Sequence, residues 1–249
     1  MAALDALTPR TRRSHVHLTK PPTLVHLHRV SLRYSHGEIA LNNLSLRIRG
    51  GERWMVFCDD KHLRGLLLQC VAGILSPQRG SVTIKGHVSW PLGRISGLSS
   101  ILSCEENTRF LSGVYGHVGQ REQELDLVRR LCGFSTANWT MPIKKLDGAS
   151  KQCFRLALSL AFDFDLYVID PSAFRSLRRQ GRWREPWQLT LERRLRERAV
   201  VCLAPDDLGV GTFCRKGLVL EKGRVLAKGS LASCQELLEQ RSCKQAVGS

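Results

Sequence analysis

The sequence lacks any uncharged apolar stretch of the roughly 20 residues needed to cross a membrane. Its N-terminus also lacks the apolar core of a secretory signal. Any membrane role is therefore expected to come through a partner or a peripheral surface. Cysteine pairs at metal-ligand or redox spacing are missing too. The nine cysteines (Cys58, Cys70, Cys104, Cys132, Cys153, Cys202, Cys214, Cys234 and Cys243) stand singly, with no C-x-x-C among them. An odd number cannot pair completely, so a reducing cytosol and no metal cluster are expected, with the thiols acting as small buried apolar groups. Internal repeats and low-complexity tracts are absent. Acidic charge is scarce: 22 aspartates and glutamates face 38 lysines and arginines, a net charge of +16. That balance admits nucleic acid, an anionic membrane surface, an acidic protein or substrate, or only a solvated basic surface.

What is present is enough apolar material for a substantial core, 43% of 249 residues. Residues 1–22 are polar, basic and end in proline, and are expected to form a flexible leader. Residues 23–249 are expected to form one folded domain. "TLVHLHRVSLRY" and "ALNNLSLRI" alternate apolar and polar residues as half-buried strands do, and "GERWMVF" follows a Gly50-Gly51 turn. "GLLLQCVAGIL" has helical spacing, and "GSVTIKGHVSW" reads as a strand pair. From about residue 92 to 150, "CEENTRFLSGVYG" and "REQELDLVRRLCGF" predict a helical insertion. "CFRLALSLAFDF" predicts a buried helix, "DLYVID" a buried strand, and "WQLTLERRLRERAVVCLA" a basic helix running into a strand. "KGLVLEKGRVLAKG" predicts a hairpin turning at Lys222-Gly223. Strands alternating with helices imply an α/β core with a mostly parallel sheet, and the early strands an antiparallel flank.

In such folds a ligand sits at the carboxyl ends of the strands. Here that places it at the turn inside "VFCDDKHLRGLL", where Asp59 and Asp60 stand and no glycine occurs before Gly65.

Three segments carry a family resemblance: "GHVSWPL", "NTRFLSGVYG" and "LALSLAFDFDLYVID". With them the chain resembles, from about residue 24 to 238, the nucleotide-binding subunits of ABC transporters that export capsular and related polysaccharides. The resemblance implies an ABC-type P-loop NTPase-like fold, ATP and Mg²⁺ as cofactors, and a place on the inner face of the cell membrane. It also implies two partners, a membrane-spanning permease and a second nucleotide-binding subunit. Aligned without gaps, the family's phosphate loop G-x-x-x-x-G-K-[ST] falls on Cys58 through Gly65. Its two glycines become Cys58 and Leu63, its lysine Arg64, and its two hydroxyl positions Gly65 and Leu66.

Without glycines the backbone does not easily wrap phosphates, and two carboxylates repel them. Arg64 keeps the charge in a planar fork rather than a point. The family's magnesium-associated aspartate is Asp170, followed by Pro171 where a water-activating glutamate is usual. Its signature turn is "LDGAS", retaining Gly148 but with Asp147 and Ala149. Its switch histidine is Pro205, its glutamine loop has no clear counterpart in "WPLGRISGLSS", and its adenine-stacking aromatic is Tyr34. The candidate nucleotide contacts are thus Tyr34, Arg64, Gly65, Gly148 and Asp170, with Asp170 the candidate metal ligand. No catalytic residue is assigned beyond Asp170.

Each has a plainer reading. Tyr34 packs as a strand aromatic, Gly148 only enters a helix, and Asp170 caps the turn after its strand. Arg64 pairs with Asp59 or Asp60 and closes the pocket. The Arg-rich run from Arg178 to Arg198, with Trp183 and Trp187, resembles a stacking surface for nucleic acid, but Glu185, Glu192 and Glu197 interrupt it. A solvated helix is the expectation there. Missing loop, base and switch together predict hydrolysis near background, and hence a regulatory or structural subunit. An active ATPase, or a binding module on a reused scaffold, remain the alternatives.

Overall fold

Apolar residues alternate along the first strands because only one face of their sheet is covered. The computed structural model describes residues 20–95, 97–205 and 208–247. The first 19 residues of the expected leader lie outside them. Strands β1 (Thr23–Arg33) and β2 (Ile39–Arg49) pair antiparallel. After β3 (Arg53–Cys58) and helix α1 (Lys61–Val71), strand β4 (Arg79–Ile84) adds to the other edge of β1. Val25, Leu27 and Leu32 of β1 and Leu41, Leu44 and Ile48 of β2 are fully buried.

A second, six-stranded sheet holds β3 near its middle. Its other strands are β5 (Val88–Pro91), β6 (Leu166–Ile169), β7 (Ala199–Leu203), β8 (Lys216–Glu221) and β9 (Arg224–Ser230). The order is β5-β6-β7-β3-β8-β9, parallel up to β8, with β9 antiparallel. Strands β6 and β7 are buried at every residue, which is why "LYVI" and "AVVCL" are unbroken apolar runs rather than alternating ones. The β8–β9 hairpin turns at Lys222 and Gly223, both at positive φ as a two-residue hairpin turn of this twist requires.

The parallel sheet is covered on both faces. Trp54, Val56 and Cys58 of β3 point to one side, where Leu63, Leu67 and Leu68 of α1 fill the space toward the antiparallel sheet. Met55 points to the other side, toward α5 (Gly148–Ala161) and the helices around it. Between β5 and β6 the chain forms α2 (Cys104–Tyr115), α3 (Arg121–Cys132) and α4 (Thr136–Thr140) before α5. Helices α6 (Arg175–Arg179) and α7 (Trp187–Leu195) lie between β6 and β7, and α8 (Leu231–Val247) ends the described chain. Helix α2 starts at a reciprocal cap. Ser103 Oγ accepts from Glu106 N at 3.1 Å, and the Glu106 carboxylate accepts from Ser103 N at 2.7 Å. Among the described residues, no helix is long and apolar enough to cross a membrane.

Two expectations are corrected. "GSVTIKGHVSW" is not a paired hairpin: β4 pairs with β1 and β5 with β6, so the chain crosses between sheets at Gly86. Gly86 has φ +94°, and an added Cβ there would lie 2.7 Å from Asp165 Oδ2. Alternation along each strand is the same in either arrangement, so it could not distinguish them. The cysteines are not all interior: eight are buried, but Cys243 is exposed. Burial pushes the Cys70 thiol up to about 11 and the Cys104 thiol up to about 12, so both stay protonated and unreactive at neutral pH.

Glu52 ties the start of β3 to β8. Its half-buried carboxylate accepts from Lys216 Nζ at 2.6 Å, Arg49 N at 3.1 Å and Trp54 Nε1 at 3.2 Å. Burial pushes its pKa up, but the Lys216, Arg49 and Trp54 hydrogen bonds outweigh it and hold the carboxyl below its usual value. A depressed folded-state pKa supplies stability above the unfolded value that is lost as pH falls through the folded one. Glu52→Gln is therefore expected to cost about 1–2 kcal/mol at neutral pH. The cost should shrink once pH drops below the ordinary glutamate pKa of about 4.3. Urea unfolding of both proteins across that range tests this, and a difference that stays constant with pH contradicts it.

Candidate functional site

Strand β3 ends at Cys58, and α1 begins at Lys61, so the turn between them is only Asp59 and Asp60. Asp60 caps the helix. Its Oδ1 accepts from His62 N at 2.8 Å and from Leu63 N at 2.9 Å. These are the backbone donors that a helix start offers to an anion, and here the chain's own carboxylate occupies them. Its Oδ2 accepts a short hydrogen bond from the Tyr34 hydroxyl. That bond, foremost, holds the Asp60 carboxyl below its usual range, while the Tyr34 phenol is pushed up to about 12.

Tyr34, Asp60 and Gly65 line one recess of about 610 Å³, together with His62 and Arg94. The structure thus brings Tyr34 and Gly65 together. Tyr34 is half-buried just after β1 and stacks on His36 at 5.2 Å, so it is not a strand-interior aromatic. Gly65 sits on α1 facing open space, with no side chain to offer.

Arg64 points elsewhere. Its Nε donates a short hydrogen bond to the Cys58 carbonyl, and it lines a different recess of about 330 Å³ with Asp59, Pro205 and Arg241. The expected Arg64 ion pair with Asp59 or Asp60 does not form. The guanidinium instead fastens the turn's own backbone, and Tyr34 takes the partner's place at Asp60. Gly148 is the first residue of α5, behind Asp147, whose carboxylate accepts from Ser150 N at 2.9 Å and Ser150 Oγ at 2.7 Å. It lines neither of these recesses.

Asp170 follows β6, and both of its oxygens are engaged. Oδ1 accepts from Ser172 N at 3.0 Å, capping the 3₁₀ turn Pro171–Phe174, and Oδ2 accepts from Arg94 Nη2 at 2.9 Å. The Asp170 side chain is 13% exposed, so a lone charge there would be costly and the guanidinium neutralises it. Arg94 is the site residue that sequence reasoning missed. The available signal was a basic residue one turn beyond β5, the strand beside β6. Gly93 allows that turn: its φ is +77°, and a Cβ would lie 2.8 Å from Leu156 Cδ2 and 2.9 Å from Gln152 Nε2 of α5.

These residues do not fit a magnesium-bound triphosphate held at this turn. The backbone donors are taken by Asp60, and the Asp170 oxygens expected to hold a metal are taken by Arg94 and Ser172 N. Gly65 supplies no hydroxyl, and Pro171 cannot accept a proton. Among the described residues, no group of three or more histidines, cysteines and acids is placed to hold a metal. The Arg-rich run offers no bare stacking rings either. Trp187 is buried, Trp183 packs edge-on against Phe174 at 5.2 Å, and Leu191 and Leu195 turn into the core.

No family model matches the chain. It is 23% identical over 188 residues to the capsule polysaccharide export ATP-binding protein CtrD of Neisseria meningitidis, covering 74% of this chain and 83% of the relative. It is 24% identical over 186 residues to the ATP-binding protein BexA of Haemophilus influenzae, covering 74% and 82%. Among solved structures it superposes on a dimeric post-hydrolysis form of the ATP-binding cassette MJ0796 bound to ADP and Pi. The TM-score is 0.65 at 18% identity, over 84% of this chain and 99% of that one. The chain is thus similar in sequence to ATP-binding proteins, a capsule polysaccharide export ATP-binding protein among them, and has the ATP-binding cassette fold.

Proposed function

We propose that the chain is the cassette subunit of a capsule-type polysaccharide exporter and acts in a regulatory or structural role rather than as its hydrolase. The observation that carries this is an exchange of charges: a carboxylate, Asp60, lies on the helix-start donors where a phosphate would bind. A guanidinium, Arg94, lies on the acid where a metal would bind. The scaffold that relatives use for ATP is kept, while the two contacts a metal-bound triphosphate needs most are made internally. The partners in this reading are a membrane-spanning permease and a second nucleotide-binding subunit that does the hydrolysis. The location is the cytoplasmic face of the membrane, where the +16 charge suits an anionic leaflet.

The purified chain is expected to show no ATP turnover above buffer. A calorimetric titration with ATP is expected to reveal no site whose affinity is raised by magnesium. Following turnover in the same sample makes the test complete. Strong hydrolysis that disappears in Asp170→Asn would establish an active ATPase and overturn the proposal.

A further inference from the structure

Arg94, Arg155, Arg175 and Arg179 line one cleft of about 760 Å³, with Gln152 and Ser176 on its walls and no carboxylate among its lining residues. We propose that this cleft binds a phosphorylated ligand carrying two or more negative charges. Its cations come from three separate segments: the turn after β5, helix α5 and helix α6. Arg175 and Arg179 are four apart on α6 and so share one face of it. Arg94 is partnered by Asp170, which lies outside the wall. The guanidinium groups of Arg155, Arg175 and Arg179 make no hydrogen bond or ion pair with any described residue.

Like charges gathered in a concavity repel one another, and a multivalent anion removes that repulsion. Arginine is the side chain suited to this task, because its planar fork meets phosphate oxygens two at a time. Ser176 also lines this cleft. Ser176 Oγ is buried without a hydrogen-bond partner, leaving a hydroxyl donor unused, whereas Gln152 Nε2 is occupied by Ala173 O at 3.2 Å. The volume falls within the roughly 300–1,000 Å³ of small-ligand sites. The contrast with the turn after β3 is direct: acid stands where a triphosphate would be gripped, and uncompensated base lines the neighbouring cleft. The proposal stands on the cleft alone and does not depend on whether the turn after β3 binds nucleotide.

The test is calorimetric titration of the full chain with inorganic tripolyphosphate. One saturable site is expected, weakened at least about tenfold in Arg155→Ala/Arg175→Ala. It should be unchanged in Lys144→Ala/Lys145→Ala, which removes the same charge from an exposed 3₁₀ turn that does not line the cleft. All four side chains are exposed, and thermal melts of each variant confirm that folding is intact. Flotation with vesicles containing phosphatidic acid separates the sources. Vesicle binding displaced by tripolyphosphate points to a lipid headgroup, and tripolyphosphate binding without vesicle binding to a soluble phosphate. No saturable site, equal weakening in both double variants, or vesicle binding that tripolyphosphate does not displace overturns the proposal. Titrating ATP onto Arg155→Ala/Arg175→Ala isolates the turn after β3, so failure at one site is not mistaken for failure at the other.

Discussion

The double variant Asp60→Ser/Arg94→Ala is expected to bind Mg-ATP about tenfold to a hundredfold more tightly than the unaltered chain. Like charges about 4 Å apart repel by roughly 4 kcal/mol at the effective dielectric of a protein surface. Asp60 is exposed, so solvent reduces this to about 1.4–2.8 kcal/mol, which is one to two powers of ten in affinity. Serine at position 60 keeps a side-chain oxygen for His62 N and Leu63 N, so α1 retains its cap and the fold is not put at risk. Removing Arg94 frees Asp170 Oδ2 for a cation. The decisive readout is magnesium dependence. The gained affinity should vanish in chelator, whereas phosphate binding in the arginine cleft needs no metal. Turnover should stay absent in this variant, because Pro171 still stands where a proton acceptor is required, a loss of about 10²–10⁴ in rate by itself. If Mg-ATP affinity is the same in the variant and the unaltered chain, the internal carboxylate and guanidinium do not limit nucleotide binding.

How much of this could be foreseen depends on how far apart the interacting residues lie in sequence. Strands β6 and β7 were legible because full burial forces unbroken apolar runs, a local signal. The hairpin at Lys222-Gly223 was legible because only certain residues accept positive φ at both turn positions. The assignment of β4 and β5 to different sheets was not, since alternation records burial and not the identity of the neighbouring strand. The site divides the same way. That no glycine stands from Cys58 to Arg64, and that proline follows Asp170, can be read directly from the sequence. The pairs formed there cannot: Arg94 and Asp170 are 76 residues apart, and Tyr34 and Asp60 are 26 apart. The direction of Arg64 was misjudged for a geometric reason. Successive residues on a helix point about 100° apart, so Arg64 and Gly65 serve different recesses despite being adjacent.

Phe154→Ala is expected to cost about 3–5 kcal/mol, the usual range for emptying a buried aromatic position. Phe154 is fully buried on α5 and lies in the core cluster that joins the helices between β5 and β6 to the parallel sheet. The same helix carries Gly148 at its start, Gln152 and Arg155 in the arginine cleft, and Ser159, whose hydroxyl accepts from Trp90 Nε1 at 2.8 Å and Gly93 N at 3.0 Å. A cavity at Phe154 therefore loosens the element that positions the turn bearing Arg94 as well as the core. Thermal unfolding should fall by roughly 6–20 °C, given about 2–4 °C per kcal/mol for a chain of this size. In denaturant, a lower midpoint with an unchanged slope means that the helices and the sheet unfold as one unit. A shallower slope means that α5 and its neighbours melt before the sheet, and a loss below about 1 kcal/mol would contradict the packing described at this position.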